Sequence, residues 1–382
     1  MSDPPELLHV FPSFGAGGTQ LRMASIINAL GSSFGHHVIS MDGEFGASRA
    51  VNGVQLKVSS APSPYRGLPY AFAFRNAVRG LRPAAVLTYN WGAIDAVLGA
   101  RLAAFCPVIH NECGFGEDES ITLKRRRVWA RRLILRTVFR TVVTSQTMLT
   151  IAKTEYKLRS DKIQLIRTGV DVNRYQPSRN TAGRVSLGVG DKDLLWGYIG
   201  GLRPEKNLGL LLRAFKSAQL PNSKLLLVGD GPCRRELEAL ARSLCIADRT
   251  IFAGHQTNPA RYLAMLDCFV MSSATEQISN AQLEAMASGL PVICTDVGDS
   301  RVLLGEESEC CVVPPGDTDS YARALQNLAS SAPLRAGLGS VNRRRSIDSY
   351  SKDRMVREYA ALLECALNQR QATNVQRFRV RL

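Results

Sequence analysis

The chain of 382 residues is poor in aromatic residues (7%), holds five histidines, and sets 33 acidic side chains against 48 basic ones. No run of 18 or more apolar residues occurs, so no segment reads as a membrane-spanning helix. The nine cysteines are odd in number and lack C-x-x-C spacing. With so few histidines they propose neither a disulfide framework nor a zinc site, and no metal is expected. A reducing, cytoplasmic setting follows. The start, Met1 to Glu6, has no basic region before its first apolar run, which argues against a signal peptide.

What is present is a chain with 45% hydrophobic residues, enough for two domains with separate cores. The net charge of +15 is uneven: residues 1–168 hold 21 Lys and Arg against 11 Asp and Glu, and the remainder 27 against 22. Apolar runs such as Leu7–Phe11, His36–Met41, Ala84–Tyr89, Leu194–Ile199 and Lys224–Gly229 alternate with helical patterns. That alternation predicts α/β architecture with parallel, doubly wound sheets.

The stretch from Ser272 to Pro291 organises the rest. It follows a buried-type strand, Leu266–Met271, and carries Glu276 and Glu284. Ser279 with Gln282 three residues on is a capping-box pattern, which starts a helix at Asn280 and ends it at Gly289. Glu276 then lies in a loop and Glu284 on the helix. Eight residues of one continuous helix would separate the two by about 12 Å, so they are not a pair facing a single bond. The N–H groups of Ser279, Asn280 and Ala281 at the helix start favour phosphate, and the flanking carboxylates suit hydroxyls. A nucleotide sugar has both.

Glu-x7-Glu followed by Ala-Met-Ala-Ser-Gly-Leu-Pro-Val-Ile resembles the signature of the retaining GT-B glycosyltransferases of family four. The resemblance extends to Ile199–Lys206, Leu227–Pro232 and Thr168–Asp171, although the family usually has Asn where Thr168 stands. It implies two Rossmann-like domains facing across a cleft: an acceptor domain (1–180), a donor domain (181–349), and within residues 350–382 a final helix crossing back to the first domain; the basic tail that follows reads as mobile or lipid-seeking. The stretch 177–190, with its Ser, Asn and Gly content, reads as the linker.

In the first half, Ser13–Gly18 is a glycine loop between a strand and a helix. It is not G-x-G-x-x-G, so a nicotinamide reading is weak, and a plain tight turn is the alternative. The resemblance places Gly17 and Gly18 beside the donor diphosphate. His36 and His37 are adjacent on a strand and point to opposite faces, so they do not share a metal. The strand Pro107–His110 is expected to end at His110, where ligands of open α/β sheets gather. The resemblance implies that His110 orients acceptor and sugar, with Glu112 a further acceptor contact; a histidine merely ending a strand is the alternative.

Residues 124–140 hold eight basic side chains and no acid. Helical spacing puts Arg125, Arg132, Arg136 and Arg140 on one stripe with Trp129. This predicts docking on an anionic membrane surface, ahead of a solvated face or a nucleic-acid patch; no nucleic-acid partner is expected.

In the second half the resemblance implies that a lysine and an arginine clamp the leaving diphosphate. Lys206 matches the lysine. Gly201 stands at the arginine position, and Arg203, two residues later, is expected to supply the charge. Glu284 is implied to hold ribose hydroxyls and Glu276 sugar hydroxyls. Asp191–Asp193 and Asp317–Asp319 resemble metal-binding Asp-x-Asp only superficially: the first lies in the linker and the second opens a helix.

The implied activity is retaining transfer of a hexose from a nucleotide-diphosphate sugar, UDP-sugar favoured, to a lipid-linked or oligosaccharide acceptor in surface glycan assembly. No cofactor beyond the sugar nucleotide is expected. The enzyme would be cytoplasmic and peripheral on the inner face of the membrane. A soluble small-molecule or sugar-phosphate acceptor is the alternative, as is a non-catalytic nucleotide-sugar-binding subunit.

Overall fold

A computed structural model describes residues 4–114, 119 and 122–379. Part of the loop after Glu112 and the last residues of the basic tail therefore lie outside the described residues. The chain divides into one unit of residues 1–168 and 354–382, and a second of 169–353.

The first unit has strands β1 (Glu6–Phe11), β2 (Gly35–Ser40), β3 (Leu56–Ser60), β4 (Ala85–Tyr89), β5 (Val108–Glu112), β6 (Arg140–Val143) and β7 (Ile163–Leu165). They form one sheet in the order β3-β2-β1-β4-β5-β6-β7, and every pairing is parallel. All five residues of β4 and of β5 are buried, as a parallel sheet covered on both faces requires. One face packs against Tyr70, Phe74 and Val78 from the helix Leu68–Leu81. On the other face Met23 and Ile26 of the helix Gly18–Leu30 join Met355, Tyr359 and Leu363 of the helix Lys352–Arg379.

The second unit repeats the plan with β8 (Leu194–Ile199), β9 (Ser223–Val228), β10 (Thr250–Gly254), β11 (Cys268–Met271), β12 (Val292–Thr295) and β13 (Val312–Val313). The order is β10-β9-β8-β11-β12-β13, again all parallel. Both sheets reverse direction of growth once, between β1 and β4 and between β8 and β11. In open α/β sheets the carboxyl side of that reversal is where ligands bind.

The break between the units falls at residue 168, not 180. The stretch read as a linker folds into the second unit: Arg184, fully buried, donates to Asp267 (2.9 Å) and to the carbonyls of Met265 and Asp193. Its polar composition reflects this ion-paired turn rather than a flexible tether. Asp317 caps the helix Thr318–Ser330 by accepting from Ser320 N–H (2.9 Å), and Asp193 accepts from Gly190 N–H within a turn. His36 and His37 diverge as their strand positions require: His36 meets His9 (3.1 Å) and His37 meets Ser59 (2.8 Å).

The basic segment is less regular than its spacing predicts. The helix covers only Arg125–Ile134, Leu135–Thr137 form a tighter turn, and Arg140 already begins β6. Arg136 and Arg140 therefore do not continue the stripe. Arg131 is buried, donating to Glu112 (2.9 Å) and Glu119 (3.2 Å) and lying over the rings of Trp91 and Tyr156. What remains outside is Arg125, Arg126 and Arg136 around Trp129 and Leu133, which are 61% and 62% exposed.

Candidate donor site at the carboxyl end of the second sheet

β8 and β11 are neighbours, so the loops leaving their carboxyl ends meet. The first, Gly200–Asn207, is held from both sides. Leu202 N–H donates to Asp230 O (3.0 Å) and Ala274 N–H donates to Glu205 O (2.8 Å), while the Ser272 hydroxyl donates to Lys206 O (3.0 Å). Gly229 sits against this loop so tightly that a Cβ would stand 1.8 Å from Gly200 O, which explains the glycine in the Leu227–Pro232 motif.

This fixed loop carries Lys206 to Glu276. The ammonium and carboxylate form an ion pair, and Ser273 donates to the same Glu276 oxygen at 3.1 Å. The Glu276 loop rests on Gly298, whose φ is +55° and whose added Cβ would lie 2.3 Å from Glu276 O. Asp299 N–H secures the next residue by donating to Gln277 O (3.0 Å).

Arg203 is exposed and folds back over Gly201. An ideal Cβ on Gly201 would lie 3.2 Å from Arg203 Nε, so the shifted arginine fills the space that a side chain at 201 would take.

Ser279 caps the helix Asn280–Ala287 by accepting from Gln282 N–H (3.3 Å). The reciprocal arm of the capping box is missing. Gln282 is buried and donates instead to Ser300 O (3.1 Å). With no acid in the first turn, the N–H groups of Asn280 and Ala281 keep their attraction for anions.

Glu284, on the same helix, accepts a hydrogen bond from the Tyr175 hydroxyl; burial nevertheless pushes its carboxyl up to about 7. Tyr175 comes from an Asx turn in which Asp171 accepts from Asn173 and Arg174 N–H groups. Arg343 ties this turn to the helix, donating from one nitrogen to Val172, Tyr175 and Ala287 carbonyls at 2.7–2.9 Å.

Lys206, Glu276, Ser279, Asn280, Ala281 and Glu284 thus stand on two loops and one helix at the same end of the second sheet. Tyr175, Ser273 and Gly298 were not found by sequence reasoning.

In the first unit, Gly17 caps the helix Gly18–Leu30 without a side chain, beyond the end of β1. His110 is placed differently from expectation. β5 runs two residues past it to Glu112, because these residues continue pairing with β6. The imidazole is fully buried between Thr88 Oγ1 (2.8 Å) and Glu112 Oε1 (3.3 Å). It is a link in an internal chain rather than a strand-end group. Glu112, likewise fully buried, turns to Arg131 and presents no acceptor contact.

Two family models match, one in each unit: a glycosyl transferase 4-like domain over residues 17–169 and glycosyl transferases group 1 over residues 194–331. Each model matches less than half of the chain, and both units have the parallel, Rossmann-like form of GT-B glycosyltransferases. It is 33% identical over 146 residues to the lipopolysaccharide core biosynthesis glycosyltransferase LpsE of Rhizobium meliloti, spanning 38% of this chain and 43% of that one. It is 30% identical over 225 residues to the N-acetyl-alpha-D-glucosaminyl L-malate synthase of Bacillus anthracis, 58% of each. The chain thus spans about half the length of these curated relatives. Its fold is similar to that of Anabaena HepE in complex with UDP, with a TM-score of 0.81 at 17% identity over 94% of this chain and 100% of that one.

Proposed function

We propose that the chain is a retaining glycosyltransferase that moves a hexose from a nucleotide-diphosphate sugar, with UDP-sugars favoured, to a lipid-linked or oligosaccharide acceptor in surface glycan assembly. The observation that carries this reading is the Lys206–Glu276 pair beside the capped amino end of Asn280–Ala287.

Breaking the bond from the anomeric carbon leaves negative charge on the diphosphate. Lys206 and the N–H groups of the helix start are held in place before the reaction, which is the arrangement that stabilises developing charge most, and the exposed Arg203 adds its charge beside them. Glu276, held by its ion pair with Lys206, takes the sugar hydroxyls. Glu284 receives the ribose hydroxyls. Retention follows from attack on the face the diphosphate leaves, the departing phosphate serving as base. Gly17 and Gly18 keep the diphosphate role that the resemblance implies. His110 keeps the acceptor- and sugar-orienting role that the resemblance implies, exerted from inside β5 through its hydrogen bonds to Thr88 and Glu112.

Support for the donor comes from the UDP named in the HepE structure, and support for a glycan acceptor from the lipopolysaccharide role named for LpsE. Among the described residues no helix is long and apolar enough to cross a membrane; the exposed Trp129 and Leu133 among arginines would dock the enzyme on anionic lipid at the cytoplasmic face. A soluble acceptor is the second reading, favoured by the malate named for the Bacillus anthracis relative.

Thermal stabilisation by UDP-, GDP- and ADP-sugars identifies the donor, a ligand at 100 times its dissociation constant adding about 2.7 kcal/mol. Labelled sugar should then appear in a lipid-extractable or glycan product, with the donor's anomeric configuration, and vanish in Glu276→Ala. Label confined to a small soluble product would select the second reading.

A further inference from the structure

Arg22 lies in the first unit, four residues beyond Gly18 on the helix Gly18–Leu30, so the two share one side of that helix. Its guanidinium is largely withdrawn from solvent but, among the described residues, meets no carboxylate. One terminal nitrogen donates to Thr168 Oγ1 (2.9 Å), the other to Cys113 Sγ (2.7 Å), and buried Nε has no partner.

None of these neighbours carries compensating charge. Burial pushes the Cys113 thiol up despite the adjacent guanidinium, so the sulfur stays protonated. The phenols of Tyr89 and Tyr359 are raised in the same way. The nearest carboxylate along β5, Glu112, is committed to Arg131.

A charge withdrawn from water with no counter-ion among the described residues is costly, and the helix end beside it adds to its sign. The helix amino end one turn away is uncapped by any side chain and holds no acid in its first turn, so its N–H groups favour an anion as well. The location is the reversal of the first sheet, where β1 and β4 part and Cys113 follows β5.

We propose that Arg22, with Thr168 positioning it, is the anchor of an oxyanion subsite in the first unit, which takes the phosphate or carboxylate group of an anionic acceptor. This deepens the glycosyltransferase reading and rests on it for the word acceptor; the anion site itself stands on the residues just named. It also gives a reason for Thr168 in the Thr168–Asp171 segment: a hydroxyl accepts from the guanidinium.

The test is a thermal-shift titration with inorganic phosphate, referenced to sodium chloride at equal ionic strength. It is run in Lys206→Ala, which removes one cation from the second unit's diphosphate site, so that the comparison with and without Arg22 reports the first unit. Phosphate should raise the melting temperature saturably, and adding Arg22→Gln should raise the half-saturating concentration at least tenfold. Arg22→Lys, which keeps charge but not the fork, should fall between and carries the test if the Gln variant does not fold. A parallel series with malonate distinguishes a carboxylate-bearing from a phosphate-bearing acceptor. Equal responses with and without Arg22, or no saturable response, overturn the proposal.

UDP titrations of the wild-type protein and Arg22→Gln should give half-saturation values within about twofold of each other. A tenfold loss there assigns Arg22 to the donor and overturns the proposal too. UDP without effect on either protein, with the phosphate response intact, would sink the transferase reading while supporting the anion site.

Discussion

Lys206 and Glu276 are 70 positions apart in the chain and form an ion pair in which Ser273 shares the carboxylate oxygen. Neither long side chain has to search for its place when a substrate arrives. Lys206→Ala should lower kcat/KM by about 100- to 1,000-fold, the cost of removing one donor aimed at developing charge. Nucleotide binding should weaken far less. Steady-state kinetics beside nucleotide titrations will separate the two, and equal losses in both would assign Lys206 to ground-state binding alone.

Glu284 carries a pH signature. Its carboxyl lies near 4.5 when unperturbed and is pushed up to about 7 by burial. The folded protein therefore holds this proton more tightly than the unfolded chain, and the stability linked to it is present below the unfolded value and lost as pH rises through 7. Glu284→Gln should accordingly be more stable than wild type at pH 8, by about 2 kcal/mol, and little different at pH 4. Ribose hydroxyls donate best to the ionised form. UDP affinity should rise about tenfold from roughly pH 6 to 8 in the wild type and stay flat in the variant. A flat wild-type profile by calorimetry would remove Glu284 from the ribose.

Gly298 supports the Glu276 loop from below, at a positive φ and with the loop carbonyls where a Cβ would go. Gly298→Ala should cost about 1–3 kcal/mol by urea denaturation and lower turnover by displacing Glu276. Unchanged turnover in a destabilised protein would mean that the loop repositions freely.

The exposed Trp129 and Leu133 among Arg125, Arg126 and Arg136 predict binding to phosphatidylglycerol vesicles and not to phosphatidylcholine vesicles. Each arginine near the surface contributes about 1 kcal/mol. Reversing Arg125, Arg126 and Arg136 to Glu should therefore reduce partitioning by at least two orders of magnitude in a flotation assay. Trp129→Ser, which removes the apolar ring without adding charge, should weaken it without altering the salt dependence. Retained flotation of the triple variant would leave this face as solvated surface.

The alternation of apolar runs and helical patterns was enough to predict two parallel sheets, because strands buried on both faces must be apolar throughout, as β4 and β5 are. The helix at Asn280 was equally legible, since its Ser279 cap and Gly289 stop are local chemistry. Gln282 shows where local reasoning failed. Its spacing fitted a capping box, but a buried amide takes the partner that tertiary packing offers, here Ser300 O. The end of β5 was misplaced at His110 for the same reason: two more polar residues, Asn111 and Glu112, stay in the strand because β6 and Arg131 are there to receive them. The basic run was not readable from composition, since nothing in it marks Arg131, paired with Glu112 and Glu119, or Arg127, paired with Glu119, apart from the other arginines.

The sequence alone determined the architecture, the glycine loop, and the loop and helix bearing Glu276, Ser279 and Glu284, because caps, turns and hydrophobic period act over a few residues. Only the tertiary structure decided which charges are paired. Lys206 with Glu276, Tyr175 with Glu284, and Arg22 with no carboxylate among the described residues depend on contacts between segments far apart in the chain. There the cost of burying a charge selects the partner, or leaves a place for one.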